Sequence, residues 1–150
     1  MPDLSEYSYI GRYARPGLLA VGWLDCEHPF RSGEVPQATQ ERLWLYCRRR
    51  IAQTRGLHVC NICQQSESEP VTVVRDGVCE TLGSAEIRVF SAGGAAFAAP
   101  DLVYHYIGVH RYLPPQAFLD AVMTGPLPGS DLYEEMIQEY ALHNKFFGWR

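Results

Sequence analysis

The sequence predicts an α+β fold, small antiparallel β-hairpins packed with helices, and three observations predict it. Two glycine turns, Asp76-Gly77 and Gly93-Gly94, each lie between short runs rich in strand-forming residues. The stretch Gln37 to Thr54 carries no glycine or proline and reads as a long helix. A Cys60-x-x-Cys63 pair and a His105-x4-His110 pair stand on either side of the two hairpins, which gives strands and helices a common centre. With 150 residues, 47% of them apolar and 20% charged, the chain is sized for one domain (1–150) able to bury a core.

Each element follows from its local chemistry. Residues 1–35 are dense in Tyr, Gly and Pro and read as irregular chain wrapped on a core, with an extended piece between Gly17 and Leu24. Pro36 suits the first turn of a helix, whose expected span is 36–55 with Gly56 closing it. Leu43, Cys47 and Ile51 recur at i, i+4 and i+8, with Trp44 alongside, and that stripe faces the core. The polar run Gln64 to Glu69 after the cysteine knuckle reads as a surface loop. Val71 to Arg75 and Val78 to Leu82 form the first hairpin, because Asp and Gly both tolerate the positive φ of a two-residue turn. Ala85 to Phe90 and Ala95 to Ala99 form the second, with Ile87 and Val89 on one side of the strand and Glu86 and Arg88 on the other. Asp101 is expected to be the N-cap or the first-turn acid of a helix from Leu102 to about His110. Pro114-Pro115 ends that helix and opens another, Gln116 to Met123. Thr124 to Gly129 reads as a linker, and Ser130-Asp131 with Glu134 makes an approximate capping box for a last helix to about His143, within the C-terminal segment 130–150.

Composition excludes several classes of function. A net charge of −4, from 13 basic and 17 acidic residues, provides no global field for nucleic acid or an anionic membrane. No apolar run approaches the about 18 residues of a membrane helix, and Met1-Pro2-Asp3-Leu4-Ser5-Glu6 has neither the basic nor the apolar region of a signal peptide. The expected location is therefore the cytoplasm, where five cysteines read as free thiols or metal ligands rather than a disulfide framework.

The chemistry resides in the paired motifs. Two thiolates on a tight knuckle (Cys60, Cys63) and two imidazoles on a helix (His105, His110) are four donors suited to tetrahedral Zn²⁺. The order of knuckle, hairpins and ligand-bearing helix is that of treble-clef-like zinc modules, here 56–123. On a straight helix the i, i+5 interval turns the two imidazoles about 140° apart, so a loosened turn at Gly108 is expected between them. The competing reading makes the cysteines small core residues and the histidines ordinary helix residues among Tyr104, Tyr106 and Tyr112. A redox C-x-x-C wants a helix directly after the motif, where this chain has the polar loop. A zinc deaminase wants H-x-E or C-x-E and P-C-x-x-C, where this chain has Cys26-Glu27-His28 and Val59.

Four filled positions define a structural site and leave no catalytic residue to assign. A catalytic metal would use His58 as a competing ligand, or His28, His58 or Glu86 near the metal, in a small hydrolase or nuclease-like enzyme. The patch Arg48-Arg49-Arg50 with Arg55 offers phosphate contacts, but it also suits the end of a helix, and the acidic whole favours the solvated reading. Cys47 and Cys79 read as buried apolar residues and Cys26 as a free thiol.

Several blocks are distinctive: Gly22-Trp23-Leu24-Asp25, His28-Pro29-Phe30, Gly33-Glu34-Val35-Pro36, Arg55-Gly56-x-His58-x-Cys60-x-x-Cys63, Gly83 to Val89, and Ala99 to Tyr106 through Pro114-Pro115. Over about residues 3–123 they resemble an uncharacterised bacterial family found in actinobacteria and myxobacteria. The resemblance implies a small soluble protein and carries over no catalytic role. The function expected from all these features is a zinc-stabilised, non-enzymatic module that binds another protein, immunity-like or toxin-neutralising.

Overall fold

A computed structural model describes residues 1–63 and 69–146, and for 140–146 the course of the backbone only. The polar run expected as a surface loop falls on 64–68, outside the described residues.

The strands form two sheets. In the first, β1 (Leu18–Ala20) runs parallel to β5 (Ala96–Pro100), and β5 pairs antiparallel with β4 (Glu86–Phe90), giving the order β1-β5-β4. The second is the hairpin of β2 (Val71–Arg75) and β3 (Val78–Leu82). Its turn is the one the sequence indicates: Asp76 and Gly77 have φ of 50° and 78°, the left-handed pair that matches the twist of a hairpin. Every residue of β4 is buried, so both faces of the first sheet are covered. Helices α1 (Gln37–Arg48) and α3 (Gln116–Thr124) pack on β4, and α1 also meets α2 (Val103–His110). The small side chains of β5 sit at the middle of this sheet, where Phe97 meets Phe118 of α3 edge to face at 5.8 Å. The fold is α+β, with hairpins and helices packed around a cluster of cysteine and histidine side chains.

Three expectations are corrected. Helix α1 stops at Arg48 rather than running on to Thr54, although Leu43, Trp44 and Cys47 are buried as the stripe requires. Beyond it Ile51 exchanges both backbone hydrogen bonds with Glu86, so the edge of β4 takes the chain that the helical pattern would have continued. Asp101 does not cap α2, whose start carries no side-chain cap; its carboxylate accepts the Gly83 N–H at 2.8 Å instead. Cys79 is exposed rather than buried, because it sits opposite Val74 (69% exposed) on a face of the two-stranded sheet that none of the described residues covers.

The aromatic N-terminal segment is fixed to the sheet by buried polar contacts. Tyr7 donates to Glu86 Oε2 at 2.7 Å, and Arg88 donates to Glu86 Oε1 at 2.8 Å while its guanidinium lies 5.0 Å from the Tyr7 ring. Helix α4 (Asp131–Phe146) is anchored by Tyr133, fully buried against Tyr46 and Phe90, with its hydroxyl bonded to the Arg88 carbonyl. Its N-terminus is capped as expected: Ser130 Oγ accepts the Tyr133 N–H, and the Glu134 carboxylate reaches back to the Gly129 N–H.

Candidate metal centre

The knuckle is held in place by a close backbone approach. His58 donates its N–H to the Gly83 carbonyl, and Gly83 has φ of 117°. A Cβ at Gly83 would lie 2.1 Å from the His58 carbonyl oxygen, so only glycine lets the β3–β4 turn pass so near the chain entering the knuckle. Two residues on, Cys60 is buried and Cys63 half-buried, both facing α2.

From α2 the two imidazoles reach the cysteines through their far nitrogens. Nε2 of His105 lies 3.3 Å from Cys63 Sγ, and Nε2 of His110 lies 3.2 Å from Cys63 Sγ and 3.4 Å from Cys60 Sγ. The ring centroids of the histidines are 5.0 Å apart with planes 77° to each other. One ligand atom from each of the four residues lies within 4.8 Å of all the others. With metal bonds of about 2.3 Å to sulfur and about 2.0 Å to nitrogen, a tetrahedral zinc site needs sulfur and nitrogen about 3.6 Å apart, close to the spacing found. The cluster could hold a metal ion.

The expected loosening at Gly108 does not occur. Helix α2 is continuous through Gly108 to His110, and the chain turns only at Arg111, with φ of 57°. Both rings reach the cysteines from an unbroken helix. Burial, with His110 beside it, holds the His105 imidazole down to about 4, and burial also lowers His110. Both rings are thus neutral near pH 7, the form that binds metal. Burial, followed by the neighbouring Cys60, raises the Cys63 thiol.

The other candidate residues lie elsewhere. His28 pairs with Asp25 at 2.9 Å on the surface. His58 accepts or donates a 2.9 Å hydrogen bond with the Tyr9 hydroxyl and is not one of the four clustered ligands. Glu86 is buried in its contacts with Tyr7 and Arg88, and burial raises its carboxyl. In the arginine patch, Arg49 is paired with Glu134 of α4 and Arg50 with Glu80 of β3. Cys47 is buried, its thiol pushed well up by burial, and Cys26 is exposed.

Fold and cluster together define a small α+β domain with a Cys₂His₂ centre between a knuckle and a helix. The chain belongs to the family described as a domain of unknown function (DUF7919), which matches residues 1–123. The match ends within α3, so α4 lies beyond it. No curated protein and no solved structure matches the chain. Among the described residues no helix is long and apolar enough to cross a membrane.

Proposed function

We propose that Cys60, Cys63, His105 and His110 bind a structural Zn²⁺ and that the protein is a non-enzymatic binding module stabilised by that ion. The observation that carries this reading is the convergence of four ligand atoms within 4.8 Å of one another. Two thiolates and two imidazoles complete a tetrahedron, and a metal with four protein ligands has no position for substrate or water. The ion would join the knuckle to α2 across a stretch of chain that holds the β2–β3 hairpin and strands β4 and β5. Structural zinc contributes about 10–16 kcal/mol in small domains, comparable with the whole stability of an ordinary fold. On this reading the module meets another protein through the face at Tyr9 and Leu57, aromatic and aliphatic side chains each about half exposed.

Metal content and melting of the purified chain test the reading. One zinc per chain is expected, with Cys60→Ser and His105→Ala losing both the metal and the cooperative thermal transition. Cys26→Ser, Cys47→Ala and Cys79→Ala should each retain the metal. A Cys60→Ser chain that keeps its zinc and its melting temperature would overturn the ligand assignment.

A further inference from the structure

A cavity of about 680 Å³ lies between the N-terminal segment, the chain entering the knuckle, the β3–β4 turn and the start of α2. That size suits a small organic ligand. One wall is a row of rings. Trp23 is fixed by its indole N–H, which donates to the Ala98 carbonyl at 3.0 Å. The Tyr9 ring lies 5.2 Å from it, and the His58 ring 6.1 Å from Tyr9, with the Tyr9 hydroxyl bonded to His58 Nε2. Tyr9 is 47% exposed and Leu57, which also lines the cavity, 49%, so this wall is open to an incoming molecule.

The carboxylates that line this cavity are closed to a ligand. Glu86 is 3% exposed, with its two oxygens taken by Tyr7 and Arg88, and Asp101 is wholly buried. Among the described residues no lysine or arginine lines it. An ionic ligand would therefore lose hydration here with no open carboxylate, guanidinium or ammonium to pair with. Two uncharged groups differ from the rest. The carboxamide of Asn61, exposed on the knuckle, and the hydroxyl of Ser84, half-buried in the β3–β4 turn, line the cavity and hydrogen-bond to none of the described residues. Between them they offer both donors and acceptors, the complement of a neutral polar group.

We propose that this cavity binds a small, uncharged aromatic molecule, its ring against Tyr9 and Trp23 and a neutral polar substituent, a carboxamide or a hydroxyl, bonded to Asn61 and Ser84. Aromatic pairs gain from offset and edge contacts beyond the area they bury, which a saturated ring of the same size does not reproduce. A few placed polar groups in a largely apolar cavity then fix the orientation of the ligand. The chemistry is shared by a free small molecule and by a tyrosine side chain of a partner protein. The proposal goes beyond the zinc reading, because none of the groups it uses is among the four clustered residues.

Titration of the purified, folded chain, followed by amide and indole N–H resonances with the zinc content of each sample measured, tests it. Benzamide is the probe; benzamidine and benzoate alter its charge, and cyclohexanecarboxamide removes its aromatic ring. Saturable shifts at Asn61, Ser84 and Trp23 are expected with benzamide, at an affinity about tenfold or more above that of either ion and several-fold above that of cyclohexanecarboxamide. Tyr9→Leu replaces an exposed ring of the wall and should weaken benzamide about three- to tenfold, whereas Tyr9→Phe keeps the ring and should retain the affinity. Ser84→Ala should weaken benzamide several-fold and leave the binding of fluorobenzene, which has no carboxamide, unchanged. Tighter binding of N-acetyl-tyrosine methylamide than of benzamide points to a partner's side chain, and the reverse points to a free small molecule. Absence of saturable shifts, equal binding of any of the three analogues, or undiminished affinity in Tyr9→Leu or in Ser84→Ala overturns the cavity proposal. The zinc content of the same samples tests the metal reading separately, so either can fail while the other stands.

Discussion

Asp101 costs the fold stability at neutral pH, and the sign can be worked out. Burial raises its carboxyl from 3.8 to about 6, so between those values the folded chain holds a proton that the unfolded chain has lost. Stability from this group is therefore complete below about pH 4 and declines as the pH rises towards 6. Asp101→Asn removes the titration and retains the bond to Gly83. Compared with the natural chain, its stability should gain up to about 2–3 kcal/mol between pH 4 and pH 7. Urea midpoints taken as a difference between the two proteins at each pH measure this gain, since the pH dependence of the metal cancels. A difference that stays flat from pH 4 to pH 7 would mean that the carboxyl is not buried as described. The sequence assigns Asp101 to a helix cap because capping is a local pattern. Its actual partner, Gly83, comes from the turn between two strands, a contact no local pattern encodes.

At the scale of elements, what is legible depends on how local the determining contact is. The Asp76-Gly77 hairpin and the Ser130 cap are written in neighbouring residues, and the structure has both. The four clustered residues are legible for a different reason: a metal would demand particular side chains at short spacings, here one pair on a knuckle and one on a helix. The end of α1 is not legible, because Ile51 continues the apolar stripe and leaves the helix only to bond with Glu86, far along the chain. Two element-level predictions follow from the packing. Gly83→Ala combines a positive φ with a Cβ 2.1 Å from the His58 carbonyl. Denaturant unfolding should show a loss of about 3 kcal/mol or more, together with weaker zinc affinity as the knuckle is displaced. Tyr133 ties α4 to the sheet through its ring and its bond to the Arg88 carbonyl. Tyr133→Ala should cost about 3–5 kcal/mol in the same measurement, whereas Arg49→Ala, which breaks a half-exposed ion pair with Glu134, should cost under about 1 kcal/mol. A mild effect of Tyr133→Ala would show that α4 unfolds apart from the rest.

In the molecule as a whole, the sheet and the Cys₂His₂ cluster organise different parts of the fold. The first sheet, α1 and α3 form a conventional apolar core, with β4 buried along its whole length. The knuckle, the chain around His58 and the end of α2 meet at the four ligands, and the cavity opens beside that junction. Removing a bound ion should therefore loosen the knuckle and the end of α2, so chelation is expected to lower the melting temperature. The proposed centre is a closed, tetrahedral site of two sulfurs and two nitrogens. The absorption spectrum of the chain reconstituted with Co²⁺ in place of zinc tests it most directly, because cobalt reports both geometry and thiolate ligation. Intense tetrahedral d–d bands with thiolate charge transfer are expected, saturating at one cobalt per chain and unchanged by added azide. A weak octahedral spectrum would contradict it, and so would bands that shift with azide, since these reveal an open coordination position suited to catalysis.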